Sequence, residues 1–146
     1  MAKYRFRLQA LQKVRAARRD RDRAALAEAF HAEQVLVDHR AELAREESDL
    51  RELQRSAAAG PLLNVNQLVE AQRYELVLRA RGQELARQQA LLAAEIERRR
   101  QVLLEADRDV RVLERLDERH REEHQRGELR REIKQLDETA VQRHGR

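Results

Sequence analysis

The sequence predicts an all-α protein: an antiparallel two-helix coiled-coil hairpin with a C-terminal helical overhang. Apolar-rich positions recur at alternating spacings of three and four residues on both sides of one break, Gly60-Pro61. If the chain folds at that break, the facing residue numbers sum to 121, as for Leu8 with Leu113 and Leu36 with Leu85. The composition, 40% charged and 3% aromatic, is typical of long helices. We therefore expect a single elongated coiled-coil domain over residues 1–146.

The first helix is predicted over about residues 5–59. Its predicted seam consists of Leu8, Leu11, Arg15, Arg18, Asp22, Ala25, Ala29, Ala32, Leu36, His39, Leu43, Glu46, Leu50 and Leu53. The first 23 residues contain nine basic and two acidic side chains, a net charge of +7, although the whole chain carries only +4. This end of the chain is expected to seek an acidic protein surface, a membrane or a nucleic acid.

The turn is predicted at about residues 60–63. Pro61 cannot continue a helix, and we expect Gly60 to end the first helix in a left-handed conformation. Asn64, with Gln67 three residues later, has the pattern of a capping box and predicts the start of the second helix.

The second helix is predicted over about residues 64–141. Its predicted seam consists of Leu68, Ala71, Glu75, Leu78, Gly82, Leu85, Gln89, Leu92, Ile96, Arg99, Leu103, Ala106, Val110 and Leu113. Beyond about Leu116 the first helix is expected to have no residues left to pair, and residues 117–128 contain no apolar side chain. A narrow apolar stripe then follows at Leu129, Ile133, Leu136 and Ala140. Either this tail frays, or the stripe binds another protein as a helix in a groove.

The sequence offers little for catalysis. There is no cysteine, so thiolate chemistry and disulfides are excluded. His120 and His124 match the H-x-x-E-H pattern of some metallopeptidases, but a catalytic zinc also needs a third ligand and a substrate cleft. An exposed coiled coil is expected to supply neither. We therefore predict no catalytic residues, no metal, no cofactor and no enzymatic activity.

Nucleic-acid binding is an alternative, because the chain is basic. However, the basic helix lacks interleaved stacking aromatics apart from Tyr4 and Phe6, and no known nucleic-acid-binding motif is present. Arginine-rich solvated helix faces are the more ordinary explanation, and no nucleic-acid partner is expected.

Three groups of residues resemble the FliJ family of flagellar export proteins. The segment Phe6-x-Leu8-x-x-Leu11-x-x-Val14-Arg15 is similar to the beginning of that family. Leu103-Leu104-Glu105-Ala106 with Val112-Leu113-Glu114-Arg115-Leu116, and later Leu136-Asp137-Glu138-Thr139-Ala140, resemble its second half. The resemblance extends over essentially the whole chain.

The resemblance implies an antiparallel coiled coil similar to the central stalk of rotary ATPases. It implies a cytoplasmic component of flagellar type III export, associated peripherally with the inner-membrane export apparatus and required for flagellum assembly, motility and chemotaxis. The implied partners are a hexameric export ATPase, the cytoplasmic domain of the export gate, and export chaperones. The residues expected to bind the ATPase ring are Arg5, Phe6, Arg7, Arg15, Arg19, Glu114, Arg115, Leu129, Ile133 and Leu136. Those expected to bind the gate are Leu62, Leu63, Tyr74 and Leu76.

Other functions remain open at this point. The chain resembles what a stalk of a virulence-type secretion system would look like. It is also compatible with an unrelated structural coiled coil, such as a scaffold or chaperone, and with a basic nucleic-acid-binding helix pair.

Overall fold

A computed structural model describes residues 3–144. Two helices account for nearly all of them: α1 is Gln9–Ala59, with 51 residues, and α2 is Val65–His144, with 80 residues. The described part of the chain contains no strand. The helices pack against each other in antiparallel fashion, as a helical hairpin does, so the predicted fold class is confirmed. None of the described helices has a stretch long and apolar enough to cross a membrane.

Helix α1 begins at Gln9, four residues later than the predicted start at about residue 5. Its first turns include a bond from the amide of Gln12 to the carbonyl of Leu8, at 2.9 Å. Residues 3–8 are not helical, and we call them the N-terminal segment. Within it Tyr4, Phe6 and Leu8 alternate with charged residues, a period that suits extended chain because side chains at i and i+2 lie on one side.

The connection between the helices comprises residues 60–64. Pro61 ends α1 as predicted, but Gly60 does not adopt the expected left-handed conformation, because no described glycine has a positive φ. The side-chain oxygen of Asn64 accepts a hydrogen bond from the amide of Gln67 at 3.2 Å. This bond satisfies one of the free amides at the start of α2, so the predicted cap is confirmed. At its other end α2 continues to His144, past the predicted limit of about residue 141.

The contacts divide the chain into two compact units, each built from both helices. We call Ala24–Gln101 the turn unit. In its core Leu50, Ala71 and Leu78 form a buried cluster against which Leu43 packs. Both pairs, Leu50 with Ala71 and Leu43 with Leu78, have residue numbers that sum to 121. The predicted register therefore holds in this unit.

The turn unit also resolves an expected conflict between Glu46 and Glu75, which face each other in the predicted register. Glu46 accepts hydrogen bonds from the Tyr74 hydroxyl at 2.7 Å and from Arg81 at 3.3 Å. Glu75 instead accepts from Gln54 at 3.4 Å and Arg79 at 3.2 Å. Each carboxylate has its own donors, so the two like charges do not need to share a site.

Arg99 joins the two helices within the turn unit. Its guanidinium donates to Glu95 at 2.7 Å and also to the backbone carbonyl of Ala25 on α1. Glu95 receives two further bonds from Arg98, at 2.8 and 2.7 Å. The next arginine, Arg100, lies over the ring of Phe30 at 5.3 Å. Three consecutive arginines thus hold α2 either to itself or to α1.

The second unit, the terminal unit, comprises the described residues up to Arg23 and from Val102 onward. Its buried apolar residues on α2 are Ala106, Val110 and Leu113, all predicted seam positions. The N-terminal segment adds Phe6, which is only 7% exposed.

Burial follows the predicted seam more closely on α2 than on α1. All predicted α2 seam positions from Leu68 to Leu113 are buried or half-buried. On α1, Leu11 and Leu53 are exposed at 40% and 50%, although they were predicted to lie on the seam. The positions one residue later, Gln12 and Gln54, are half-buried instead. Long polar side chains cover this edge, because their aliphatic stems bury well while their polar ends reach water.

Candidate protein-docking surfaces

The N-terminal segment packs on α2 in the terminal unit. The Tyr4 hydroxyl donates to the carboxylate of Asp117 at 2.7 Å. The ring of Tyr4 lies 5.6 Å from that of His124, and the ring of Phe6 lies 6.0 Å from that of His120. The expectation that no residue is left to pair beyond about Leu116 is therefore wrong. Extended chain advances about 3.3 Å per residue against 1.5 Å in a helix, so a short segment covers two more turns of α2.

The local environment keeps the Tyr4 phenol protonated. Burial raises its pKa above the ordinary value, and the hydrogen bond to Asp117 raises it further. Arg121, whose guanidinium lies 5.7 Å from the centre of the Tyr4 ring, opposes this effect. Tyr4 therefore remains a hydrogen-bond donor to Asp117 throughout the neutral range.

His120 and His124 contact aromatic rings, which the metallopeptidase pattern does not require. Within residues 3–144 no group of three or more His, Cys, Asp or Glu side chains is placed to hold a metal ion. The contacts of these histidines were missed from the sequence. The available signal was the i, i+2 alternation of Tyr4 and Phe6 combined with the i, i+4 spacing of the histidines, since these periods match an extended chain lying along a helix.

The basic residues at the beginning of the chain fall into two groups. Arg15 pairs with Asp109 on α2 at 2.8 Å, and Arg19 pairs with the adjacent Asp20 at 3.3 Å. Arg18 lies 4.0 Å from Asp109 and 3.9 Å from Asp22. The remaining cations make no ion pair within the described part of the chain and are exposed: Lys3, Arg5, Arg7, Lys13, Arg21 and Arg23. These six form the uncompensated positive charge of this unit.

The predicted ring-binding residues consequently differ in availability. Arg5 and Arg7 are exposed, as are Glu114 and Arg115 on α2. Phe6 is buried in the contact with His120, so it supports the segment from beneath.

The last part of α2 presents the apolar stripe to solvent. Every residue from Leu129 to Arg143 is exposed, and the α2 helix runs through all of them. Leu129, Ile133 and Leu136 are 58%, 50% and 69% exposed. Leu129 lies sixteen residues after the buried Leu113, which at 3.6 residues per turn places it roughly 160° around the helix. The stripe therefore occupies the face of α2 that points away from the covered seam.

The predicted gate-binding residues lie in the turn unit and do not form one patch. Leu62 and Leu63 are in the connection and are 88% and 60% exposed. Leu76 is 63% exposed on α2. Tyr74 differs, because its hydroxyl donates to Glu46 on α1 at 2.7 Å. Two helical residues apart means roughly 200° of rotation, so Tyr74 and Leu76 occupy different faces of α2.

Tyr74 borders an apolar groove in the turn unit. The groove has a volume of about 510 Å³, and its lining includes Leu50, Leu53 and Ala71. The hydrogen bond to Glu46 is the main reason that the pKa of Tyr74 is raised, and burial adds to the effect. The phenol is thereby held as a donor at the mouth of the groove.

Comparison with known proteins agrees with this architecture. Searches of curated proteins and of solved structures gave no significant match. A family model, described as the flagellar FliJ protein, matches residues 4–146. This match includes the N-terminal segment, both helices and the exposed tail, and it accounts for the hairpin and for a role in flagellar type III export. The chain belongs to the FliJ family of flagellar export proteins.

Proposed function

We propose that this protein is a stalk-like component of flagellar type III export. In this proposal it binds the hexameric export ATPase ring and links the ring to the cytoplasmic domain of the export gate and to export chaperones. It acts without catalytic activity or a cofactor of its own. Its place is the cytoplasm, with peripheral association to the inner membrane through these partners, and its role in flagellum assembly affects motility and chemotaxis.

The observation that carries the proposal is the composition of the terminal unit's surface. Six cations have no ion pair within the described chain, and the tail of α2 exposes an apolar stripe on the face away from its own seam. Charge that is not used within the fold favours encounter with an acidic partner, and exposed apolar residues at helical spacing favour a helix-binding groove. An oligomeric ring with an acidic opening offers both.

We assign the ring contacts to this unit. The assigned residues are Arg5, Phe6, Arg7, Arg15, Arg19, Glu114, Arg115, Leu129, Ile133 and Leu136. Among them Arg5 and Arg7 provide free charge, while Arg15 and Arg19 also hold ion pairs within the unit. Phe6 contributes by keeping the N-terminal segment seated on α2.

We assign the gate contacts to the turn unit, at Leu62, Leu63, Tyr74 and Leu76. Leu62 and Leu63 are the most exposed apolar pair in the connection, and such residues are favourable anchors for a partner. Tyr74 offers a rigid aromatic ring with a fixed hydroxyl beside the groove.

The test is a binding titration against the export ATPase, with ATP turnover measured in the same samples. The variant Arg5→Glu/Arg7→Glu reverses two unpaired cations of the terminal unit. We expect slower association, by about tenfold at low salt and less at physiological salt, where screening acts over roughly 8 Å. The matched control is Arg45→Glu/Arg55→Glu, which reverses two exposed and unpaired cations of the turn unit.

Equal effects of the two double variants would contradict the assignment of the ring contacts to the terminal unit. Nucleic-acid binding makes a different forecast, namely tight binding to DNA or RNA with a steep salt dependence. A gel shift with the same preparations measures it. Strong binding there, without any effect on ATP turnover, would replace the export proposal.

A further inference from the structure

The apolar stripe of the tail has unused charges beside it. Its residues, Leu129, Ile133, Leu136 and Ala140, follow spacings of four, three and four, which is the seam of a short coiled coil. Other tail charges are paired along the helix, as for Arg131 with Glu128 at 2.7 Å and Lys134 with Glu138 at 3.9 Å. Arg130 and Asp137, one residue after Leu129 and Leu136, make no ion pair within residues 3–144 and flank the stripe on one side.

The stripe is self-complementary when two copies lie antiparallel. In that arrangement Leu129 faces Ala140 of the second copy, and Ile133 faces Leu136 of the second copy. Each layer joins a d position to an a position, as antiparallel coiled coils require. By the two-fold symmetry every layer occurs twice, so the same four residues form the complete interface.

The flanking charges agree with the same register. In an antiparallel pair, positions that follow the d residues face each other, so Arg130 lies beside Asp137 of the second copy. Symmetry repeats this pair at the other end of the interface. A parallel pairing would instead place Arg130 beside Arg130 and Asp137 beside Asp137, two like-charge contacts that disfavour it.

We propose that a second copy of this chain covers the stripe, through an antiparallel helix pair formed by residues 129–140 and held in register by reciprocal Arg130–Asp137 ion pairs. The interface is limited to this length, because the next layer would place Arg126 against Arg143 of the second copy. Four short layers bury far less than the 1,200 Å² or more of a stable interface, so the dimer is weak and transient. A second copy and the ATPase ring would compete for Leu129, Ile133 and Leu136.

Sedimentation equilibrium of the full chain tests the proposal without any ATPase. The weight-average mass should rise from 17.2 kDa towards twice that value as concentration increases. Because the interface is small, the rise is expected between about 10 µM and about 1 mM. Ile133→Asp should abolish the rise, while Val141→Asp, the same kind of change at an exposed residue off the stripe, should leave it unchanged.

A charge swap tests the register. Arg130→Asp alone places two acidic residues together at both ends and should weaken association by at least tenfold, whereas Arg130→Asp/Asp137→Arg should restore it. Helical content measured by circular dichroism should be equal in all variants, since these residues are exposed. A swap that fails to restore association, or no rise of mass in the original protein, would overturn the proposal.

Cysteine cross-linking tests the direction of the pairing, since the natural chain has no cysteine. A mixture of Leu129→Cys and Ala140→Cys proteins should form a mixed disulfide under mild oxidation. Neither protein should cross-link to itself rapidly, because equivalent positions lie about 16 Å apart along the antiparallel axis. Rapid self-linking of Leu129→Cys would show a parallel pair and would also overturn the proposal.

Discussion

The hydroxyl of Tyr4 donates a hydrogen bond of 2.7 Å to the carboxylate of Asp117, 113 residues further along the chain. This contact joins a non-helical segment to a helix that outlasts α1. Because Phe6 and His120 form a second contact beside it, the segment is held at two points. The beginning of the chain is therefore part of the folded terminal unit, and its cations are displayed from a defined position.

Phe6→Ala should release the N-terminal segment from α2. The substitution removes a side chain that is only 7% exposed and leaves His120 without its ring contact. We expect amide hydrogen exchange in the first turn of α1, around Gln12, to accelerate by about tenfold, since local opening there becomes easier. Exchange at Leu78, in the turn unit, serves as the internal reference. Arg7→Ala, at an exposed position, should change neither rate; an equal acceleration would contradict the role of Phe6.

The two tyrosines of the chain should titrate separately in ultraviolet absorbance. Asp117→Asn removes the negative charge that helps to raise the pKa of Tyr4, so that pKa should fall towards the model value of 10.0. Glu46→Gln should do the same for Tyr74, whose pKa is raised mainly by its hydrogen bond to Glu46. Each variant is the control for the other. A common shift of both tyrosines in either variant would argue against these local causes.

Leu78→Ala should strongly destabilise the fold. Leu78 is 1% exposed and packs with Leu50 and Ala71, so its truncation leaves a cavity between the helices. We expect a loss of about 3 kcal/mol in the free energy of unfolding, measured by urea denaturation followed by circular dichroism. Leu76→Ala, two residues away and 63% exposed, should lose less than about 0.5 kcal/mol. Similar losses in the two variants would place the seam on the wrong face.

The sequence predicted this seam because coiled-coil packing has a simple period. Val110 and Leu113 are buried where the three-four spacing places them, and Asn64 caps α2 as its position suggested. On α1 the period alone was insufficient. Whether Leu53 or Gln54 turns inward depends on a small rotation of the helix, and long polar side chains are able to cover either edge.

The contacts of Tyr4 were not predictable in the same way. A helical period was extended to residue 5, although the alternation of Tyr4 and Phe6 suits an extended chain. The position of that segment is fixed by tertiary contacts with Asp117 and His120, and a local pattern does not report on such distant partners. The exposed stripe at Ile133 was predictable, because its spacing is regular and nothing in the first helix reaches it.

Glu95→Gln should change how stability depends on pH. Hydrogen bonds from Arg98, and then from Arg99, lower the pKa of Glu95 from 4.5 to about 2. A carboxylate with a lowered pKa in the folded state stabilises the fold above its unfolded pKa, and this contribution is lost as the pH falls towards 2. The original protein should therefore be the more stable one above about pH 5, and the difference should shrink between pH 4.5 and 2.

Thermal unfolding followed by circular dichroism at several pH values measures this difference. Glu105→Gln is the matched control, since Glu105 is exposed and makes no hydrogen bond among the described side chains. Its stability should stay close to that of the original protein across the same range. A Glu95→Gln difference that persists undiminished at pH 2 would exclude the arginine contacts as its cause.

Gly127→Ala should stabilise α2. Gly127 lies inside the helix, its φ is not positive, and a methyl group added there would meet no atom within 4 Å. Alanine is favoured over glycine in a helix interior by roughly 0.5–1 kcal/mol, because the unfolded chain loses less backbone freedom on folding. Gly82→Ala is the informative comparison: its added carbon would lie 3.4 Å from the Cδ2 atom of Leu43, so the packed side chain must adjust and the gain should be smaller. Hydrogen exchange along residues 120–135 should slow in the Gly127 variant and stay unchanged in the Gly82 variant. Faster exchange in Gly127→Ala would mean that the glycine serves a bend in α2 that the helix requires.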